Sequence, residues 1–280
     1  MSLITPSHHT VTPIVLTIAG SDSGGGAGIQ ADIKAISATG SYACSVITAI
    51  TAQNTQGVNS IFAIPLEMVE QQLDAVFTDL NVQAVKIGML ADSEIIRLVA
   101  AKIRHYQPQF LVIDPVMVAT SGDVLLQQHA ITTLKTELLP LADIITPNLP
   151  EAAALTDLEI PQSMADMQAM ISALRDINPH AVLLKGGHLE QSSDSTDLLI
   201  LANNVIELTT PRIDTNNTHG TGCTLSAAIA SYLAQGNDLT TATTLAKRYI
   251  TAAITAADEL NIGHGHGPVN HFFAGHHHVR

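Results

Sequence analysis

Tryptophan is absent from the 280 residues, and Phe and Tyr together supply only 3% of them. A core must therefore be built from Ala, Val, Ile and Leu, and 46% hydrophobic residues make a large one feasible. Charge is scarce at 13%, and one-sided: 12 Lys and Arg face 25 Asp and Glu, a net charge of −13. The scarcity of basic residues excludes an electrostatic nucleic-acid binder, which needs a basic stripe. It likewise excludes a polybasic membrane-surface protein. A chain this apolar and this weakly charged is not an intrinsically disordered one. The two cysteines, Cys44 and Cys223, are too few for a disulfide framework or a zinc site and suit a reducing compartment. No apolar run reaches the roughly 18 residues of a membrane span. No Lys or Arg precedes Lys34, so the charged start of a signal peptide is missing. A cytoplasmic protein with no nucleic-acid or membrane partner is expected. Linkers, repeats and like-charge blocks are also lacking, which favours one domain over 13–272, with a flexible leader at 1–12 and a His-rich tail at 273–280.

What is present is an alternation of β-branched apolar runs and helical patterns. PIVLTIAG (13–20) reads as a buried strand and GAGIQADIKAISATG (26–40) as a helix, with Ile29, Ile33 and Ile36 on one face. Strands follow at 41–50, 84–88, 110–116, 142–148 and 181–187, with helices near 92–106 and 163–177. Strands apolar on both faces and separated by helices predict an α/β fold, a mostly parallel sheet covered on both sides. STDLLILANN and VIELTTPRI predict a hairpin turning at Asn203 and Asn204. A Gly-rich loop (219–222) and two helices close the chain. Ligands of such sheets sit at the strands' carboxyl ends, where this chain places Gly20, Gly88, Asp114, Asn148 and Lys185.

Two glycine-rich segments stand out. In AGSDSGGGAGIQAD (19–32), three consecutive glycines permit close backbone approach or positive φ, although a tight strand-to-helix turn would also use them. Gly26, Gly28 and Ala31 match a dinucleotide fingerprint, but no Asp or Glu lies between Asp32 and Glu67 to hold a ribose. In NTHGTGCTLSAAIASYLAQG (217–236), Gly220 and Gly222 open directly into an Ala-rich helix. The amides and positive dipole end of that helix form an anion hole suited to phosphate. Cys223 sits at its lip, where a thiol is expected to have a lowered pKa and to ionise near neutrality. Burial as a small apolar residue is the alternative, and is the reading for Cys44.

Three further positions carry candidate chemistry. In TPNLPE (146–151), Asn148 and Glu151 could hold a hydrated Mg²⁺, and taken alone they read equally as a capping box. Asp114 in VIDPVM is a loop cap or a metal-side carboxylate. Lys185 in LLKGGH ends an apolar strand, and its partner is either phosphate or a carboxylate. The histidines His264, His266, His271 and His276–His278 read as a loose Gly-rich tail rather than a metal site.

Together, AGSDSGGGAGIQAD, VITAITAQNT, VKIGML, DPVM, TPNLPEA, LKGGH and NTHGTGCT resemble, in this order, the hydroxymethylpyrimidine/phosphomethylpyrimidine kinases of thiamine biosynthesis. The resemblance runs from about Val15 to GHGHGPVNHF (263–272) and leaves HHHVR unmatched. It implies a ribokinase-like three-layer fold and two successive transfers of the ATP γ-phosphate, with Mg²⁺, to a hydroxymethylpyrimidine and then to its monophosphate. It implies a pyrimidine pocket of Gly20, Asp32, Gln53, Met89 and Val116. An amide such as Gln53 can offer an aminopyrimidine edge one donor and one acceptor. It places Asp114, Asn148, Glu151 and Lys185 on the metal and phosphate side. The amides of Gly220, Thr221, Gly222 and Cys223 become the anion hole, and Cys223 the general base. Homodimers are usual in the family, but no sequence feature marks one here. A pyridoxal kinase of the same fold, an NAD-binding oxidoreductase and a non-catalytic pyrimidine-binding regulator are the competing readings.

Overall fold

In the computed structural model, which describes residues 12–117, 128–178, 180–187, 189 and 193–275, the strand pattern resolves into two faces. The leader to residue 11, His188 of the LKGGH motif and the terminal HHHVR lie outside the described residues. The chain runs β1 (Ile14–Asp22), α1 (Gly28–Ala38), β2 (Tyr42–Asn54), β3 (Gly57–Ala63), α2 (Leu66–Asp79), β4 (Ala84–Ile87), α3 (Ser93–Tyr106) and β5 (Phe110–Ile113). It continues α4 (Gln128–Thr133), β6 (Ile144–Ile145), α5 (Leu149–Thr156), α6 (Met164–Ala169), α7 (Ile171–Ile177) and β7 (Ala181–Leu184). It ends β8 (Asp194–Leu201), β9 (Val205–Pro211), α8 (Thr221–Ala234) and α9 (Leu239–Thr255).

Among the described residues the strands form one sheet in the order β3-β2-β1-β4-β5-β6-β7-β8-β9. The run from β2 to β7 is parallel, and β3, β8 and β9 join antiparallel at the two edges. Because side chains alternate across a strand, Leu16, Ile18, Val85, Ile87, Leu111 and Ile113 enter one core with α2, α3 and α5. Val15, Ala84, Val112, Ile144 and Leu183 enter the other with α1, α8 and α9. This is the expected three-layer α/β architecture.

Local chemistry sets the helix limits. Asp92 caps α3 by accepting from the amides of Glu94 and Ile95, and Ile95, Ile96, Val99 and Ile103 form its buried stripe. The uncharged α8 buries nine residues, mostly Ala, Ser and Thr, so it lies close on the sheet. Several boundaries differ from those predicted. The expected strand 142–148 shrinks to Ile144–Ile145 because Thr146-Pro147-Asn148 turns into the cap of α5. The expected helix 163–177 breaks at Met170 into α6 and α7. The edge strand β3 and helix α2 were not anticipated, although Val69 and Leu73 of α2 carry the helical spacing.

Among the described residues, the segment 263–275 is not a loose tail. Val269, Asn270 and His271 are buried, Asn270 donates its amide to Ala253, and the Tyr249 hydroxyl donates to the His271 carbonyl. The His271 ring nitrogen Nε2 lies 2.9 Å from the Thr224 hydroxyl. Glycine-rich composition hid this, because the segment packs through three side chains and its backbone rather than through a periodic element. Burial, with help from Lys34, pushes the His271 pKa down to about 4. The folded state therefore holds it neutral, while the unfolded chain protonates near 6.5. Its contribution is full above pH 6.5 and is lost as pH falls toward 4, a loss on the order of 3 kcal/mol. Denaturant titrations across that window should show His271→Gln losing less stability on acidification than the unsubstituted protein; parallel curves would contradict this.

Candidate active site

The same alternation that builds the second core brings a row of polar side chains to the carboxyl ends of its strands. Thr17 continues the face of Val15, Lys86 that of Ala84, Asp114 that of Val112, Thr146 that of Ile144 and Lys185 that of Leu183. All lie on the side covered by α1, α8 and α9. Lys86 has no exposed surface, and its ammonium donates to both oxygens of Asp32, at 2.8 and 2.9 Å. The Thr17 hydroxyl donates to the same carboxylate. Farther along the row, Asp114 Oδ1 accepts from Lys185 Nζ at 2.8 Å and from Thr146 Oγ1 at 2.9 Å. Burial works against the ammonium of Lys86, but the neighbouring carboxylate of Asp32 outweighs it and raises the pKa. Burial likewise opposes ionisation of Asp114, yet Lys185 and Lys86 hold its pKa below the ordinary value.

Asp32 therefore offers no surface to a ligand, contrary to the expectation that it lines the pyrimidine pocket. A carboxylate at that depth needs a counter-charge, and Lys86 is it. Lys86 itself was missed, although a lysine between Val85 and Ile87 in a strand apolar on both sides is the signal. The second lysine, Lys185, is held in place by its own carboxylate and by the backbone. Its amide donates to the Pro147 carbonyl, and the next amide, Gly186, donates to Asp197, itself ion-paired at 2.7 Å with Lys247.

Above this row sits the N-terminus of α8. Gly220 has φ +79°, and a side chain there would collide with the Gly26 carbonyl, so only glycine fits. The hydrogen-bond ladder of α8 begins with Thr224 donating to Gly220. The Thr221 amide turns back to the Thr218 carbonyl at 3.2 Å, so it is not one of the free donors expected of it. The Gly222 and Cys223 amides remain at the head of the ladder. A Cβ built on Gly222 would lie 3.2 Å from Lys185 Nζ and 3.4 Å from Asp114 Oδ2. The loop and the Asp114–Lys185 pair thus face one another.

Cys223 corrects a second expectation. The helix terminus does not make it a thiolate: burial dominates and raises its pKa to about 11, against the lowering effects of Lys86 and the Gly28 amide. At neutral pH the group is a thiol. Cys44 follows the buried-residue reading, with its pKa also raised by burial to about 11.

On the other side of the cleft, the β1–β2 register shifts between Ala19 and Ser21, a bulge that re-aims the chain at Gly20. A side chain on Gly20 would collide with the Met89 methyl group, so Met89 lies directly over it. The Thr48 hydroxyl donates to the Met89 carbonyl at 2.9 Å and fixes this contact. Gln53, half-buried near the end of β2, accepts from Thr51 Oγ1 through its own Oε1. Val116 is half-buried on the loop after β5, two residues beyond Asp114. Gly20 and Met89 are thus brought together by β1 and the loop after β4, while Gln53, on β2, pairs through its backbone with Ser23.

Asn148 and Glu151 do form the capping box: Asn148 Oδ1 accepts from the Glu151 amide and Glu151 Oε2 from the Asn148 amide, at 2.9 and 2.8 Å. The motif also pairs Asn148 with Lys185 in a parallel bridge, so the cap is built into the site. Burial, reinforced by Asp114 and opposed by Lys185, lifts the Glu151 pKa to about 7.

A family model described as phosphomethylpyrimidine kinase matches residues 22–270. The chain belongs to the phosphomethylpyrimidine kinase family. The hydroxymethylpyrimidine/phosphomethylpyrimidine kinase of Rhizobium meliloti is 54% identical over 94% of this chain and 98% of its own. Among solved structures, the phosphomethylpyrimidine kinase of Clostridium difficile is 45% identical, with a TM-score of 0.76 over 86% of this chain and 99% of that one. The pyridoxal kinase of Staphylococcus aureus in complex with ADP is 32% identical, with a TM-score of 0.87 over 95% of both chains. The fold is therefore that of the ribokinase-like kinases and the chain is a phosphotransferase, which sets aside the oxidoreductase reading of Gly26 and Gly28.

Removing one member of a buried pair leaves the other charge uncompensated, at a cost of about 3–5 kcal/mol. Chemical denaturation should show Lys86→Met destabilised on that scale, with most of the loss recovered in Asp32→Leu/Lys86→Met. If the single substitution is neutral, the buried pair does not have the role described.

Proposed function

We propose that the protein transfers the γ-phosphate of ATP to the hydroxymethyl group of 4-amino-5-hydroxymethyl-2-methylpyrimidine and then phosphorylates the resulting monophosphate to the diphosphate, in thiamine biosynthesis. The observation that carries this reading is the helix-head loop of Gly220–Cys223 facing the Asp114–Lys185 pair. Phosphate oxygens meet the Gly222 and Cys223 amides and the Lys185 ammonium, while the pyrimidine lies toward Gly20, Met89, Gln53 and Val116. Phosphoryl transfer is mainly positioning and charge neutralisation, and this arrangement supplies both.

The carboxylates also suit Mg²⁺. Glu151 is buried with a raised pKa, the state of a carboxyl whose ionised form lacks compensation and which a cation would relieve. Asp114, Asn148 and Glu151 are few enough oxygen donors to leave a Mg²⁺ its waters and phosphate ligands. When bound, the ion supplies charge neutralisation on the phosphates.

In the first step the hydroxyl oxygen bonds to the γ-phosphorus, the bond to ADP breaks and the hydroxyl proton must leave. Cys223 receives it only from its thiolate form, the minor form of this group at neutral pH, and late, since a loose transition state leaves the proton in place until the new bond has formed. The second step needs no such acceptor, because its nucleophile is already an ionised phosphate.

Purified protein with Mg²⁺-ATP should phosphorylate the pyrimidine alcohol and then its monophosphate. Leaving the alcohol untouched would overturn the reading. Separate rates for the two steps should show Cys223→Ala slowing the first by about 10²-fold or more and the second much less; equal losses would remove Cys223 from proton transfer. The close structural match to a pyridoxal kinase favours pyridoxal as a second acceptor, and a side-by-side assay should rank it below the pyrimidine.

A further inference from the structure

His219 and Asp22 have no part in the chemistry above, yet they join its two glycine-rich loops. Asp22 ends β1 with 3% of its surface exposed, and His219 precedes Gly220 with 8% exposed. Asp22 Oδ1 accepts from the Gly24 amide at 2.8 Å, and Oδ2 accepts from the Gly26 and Ala27 amides at 3.0 and 2.8 Å. The same Oδ2 lies 2.9 Å from His219 Nε2. A carboxylate only accepts, so that nitrogen is the donor. Burial opposes the charge on Asp22, but the hydrogen bonds from His219 and Ala27 outweigh it and hold the carboxyl below its usual pKa.

One carboxylate thus gathers the acceptor-side loop around itself and takes hold of the phosphate-side loop through a single ring. The contact is close in two places. A side chain at Gly26 would collide with the His219 ring, and one at Gly220 would collide with the Gly26 carbonyl. The His219 ring also borders Gln53, whose amide nitrogen lies 3.5 Å from Nε2. Behind it, the His219 amide donates to the Gly267 carbonyl at 3.0 Å, so the ring projects from a backbone already fixed.

We propose that the His219–Asp22 pair is the positioning element that sets the phosphate-holding amides at the head of α8 in register with the acceptor-side loop. The inference rests on the phosphotransfer reading. The ring does not bind either substrate; it fixes the distance between the two loops that do. Each phosphoryl transfer crosses the gap between those loops, so both steps depend on the pair. A displacement of about 1 Å at such a gap costs on the order of 10²-fold in rate, while each loop keeps its own binding contacts.

The test measures kcat for both steps, together with ADP and pyrimidine affinities by calorimetry, for His219→Ala, His219→Gln, Asp22→Asn and the double variant His219→Ala/Asp22→Asn. The expected result for His219→Ala is a 10–100-fold fall in kcat in both steps, with both affinities within about threefold of the unsubstituted protein. His219→Gln, which keeps a side-chain N–H, should recover most of the rate. The double variant should be no slower than the slower single one, the signature of a shared interaction. If His219→Ala keeps its rates, if affinities fall in step with kcat, or if Gln rescues no better than Ala, the pair is not a positioning element. An unsubstituted protein that phosphorylates neither pyrimidine overturns the functional reading instead.

Discussion

The site depends on a buried row of alternating charges. Asp32 on α1, with Lys86, Asp114 and Lys185 at the carboxyl ends of β4, β5 and β7, form it beneath α8. Each ammonium has a carboxylate 2.8 Å away. In an interior where an unpaired ion is costly, this pairing is the condition for any polar group to be there at all. It also fixes strand-end positions that α8 then covers. The row compensates itself, so it contributes little net positive charge to the cleft above.

That compensation explains how a chain with a net charge of −13 can handle polyphosphate. Backbone amides at Gly222 and Cys223, the positive end of α8 and one lysine that reaches the cleft provide the positive potential. Glycine is required where the loops meet, because the Gly220 Cβ position is occupied by the Gly26 carbonyl. Cys223 is half-buried at the head of α8, and desolvation raises its thiol pKa. Proton uptake in the first step therefore falls to the minor thiolate form of Cys223, after the new bond has formed.

Much of this was legible in the sequence. Runs apolar on both faces and separated by helical patterns pointed to the sheet and its two covered faces, and Gly20, Asp114, Asn148 and Lys185 were readable as the residues closing those strands. Other features were not. The role of Asp32 depends on a partner 54 positions away, and nothing in α1 alone distinguishes a ligand-facing acid from a buried one. The His219–Asp22 contact spans 197 positions and has no local signature. The packing of His271 was hidden because Gly-rich irregular backbone has no periodicity to read. Cys223 was misjudged because one local effect, the helix terminus, was weighed without the depth of burial that opposes it.

The most direct test is a crystal structure with the pyrimidine alcohol, Mg²⁺ and a non-hydrolysable ATP analogue. The account predicts the terminal phosphate on the Gly222 and Cys223 amides and Lys185, the acceptor hydroxyl beside Cys223, and the Asp32–Lys86 pair intact with no ligand atom upon it. A terminal phosphate on Lys86, or a pyrimidine hydrogen-bonded to Asp32, would contradict it.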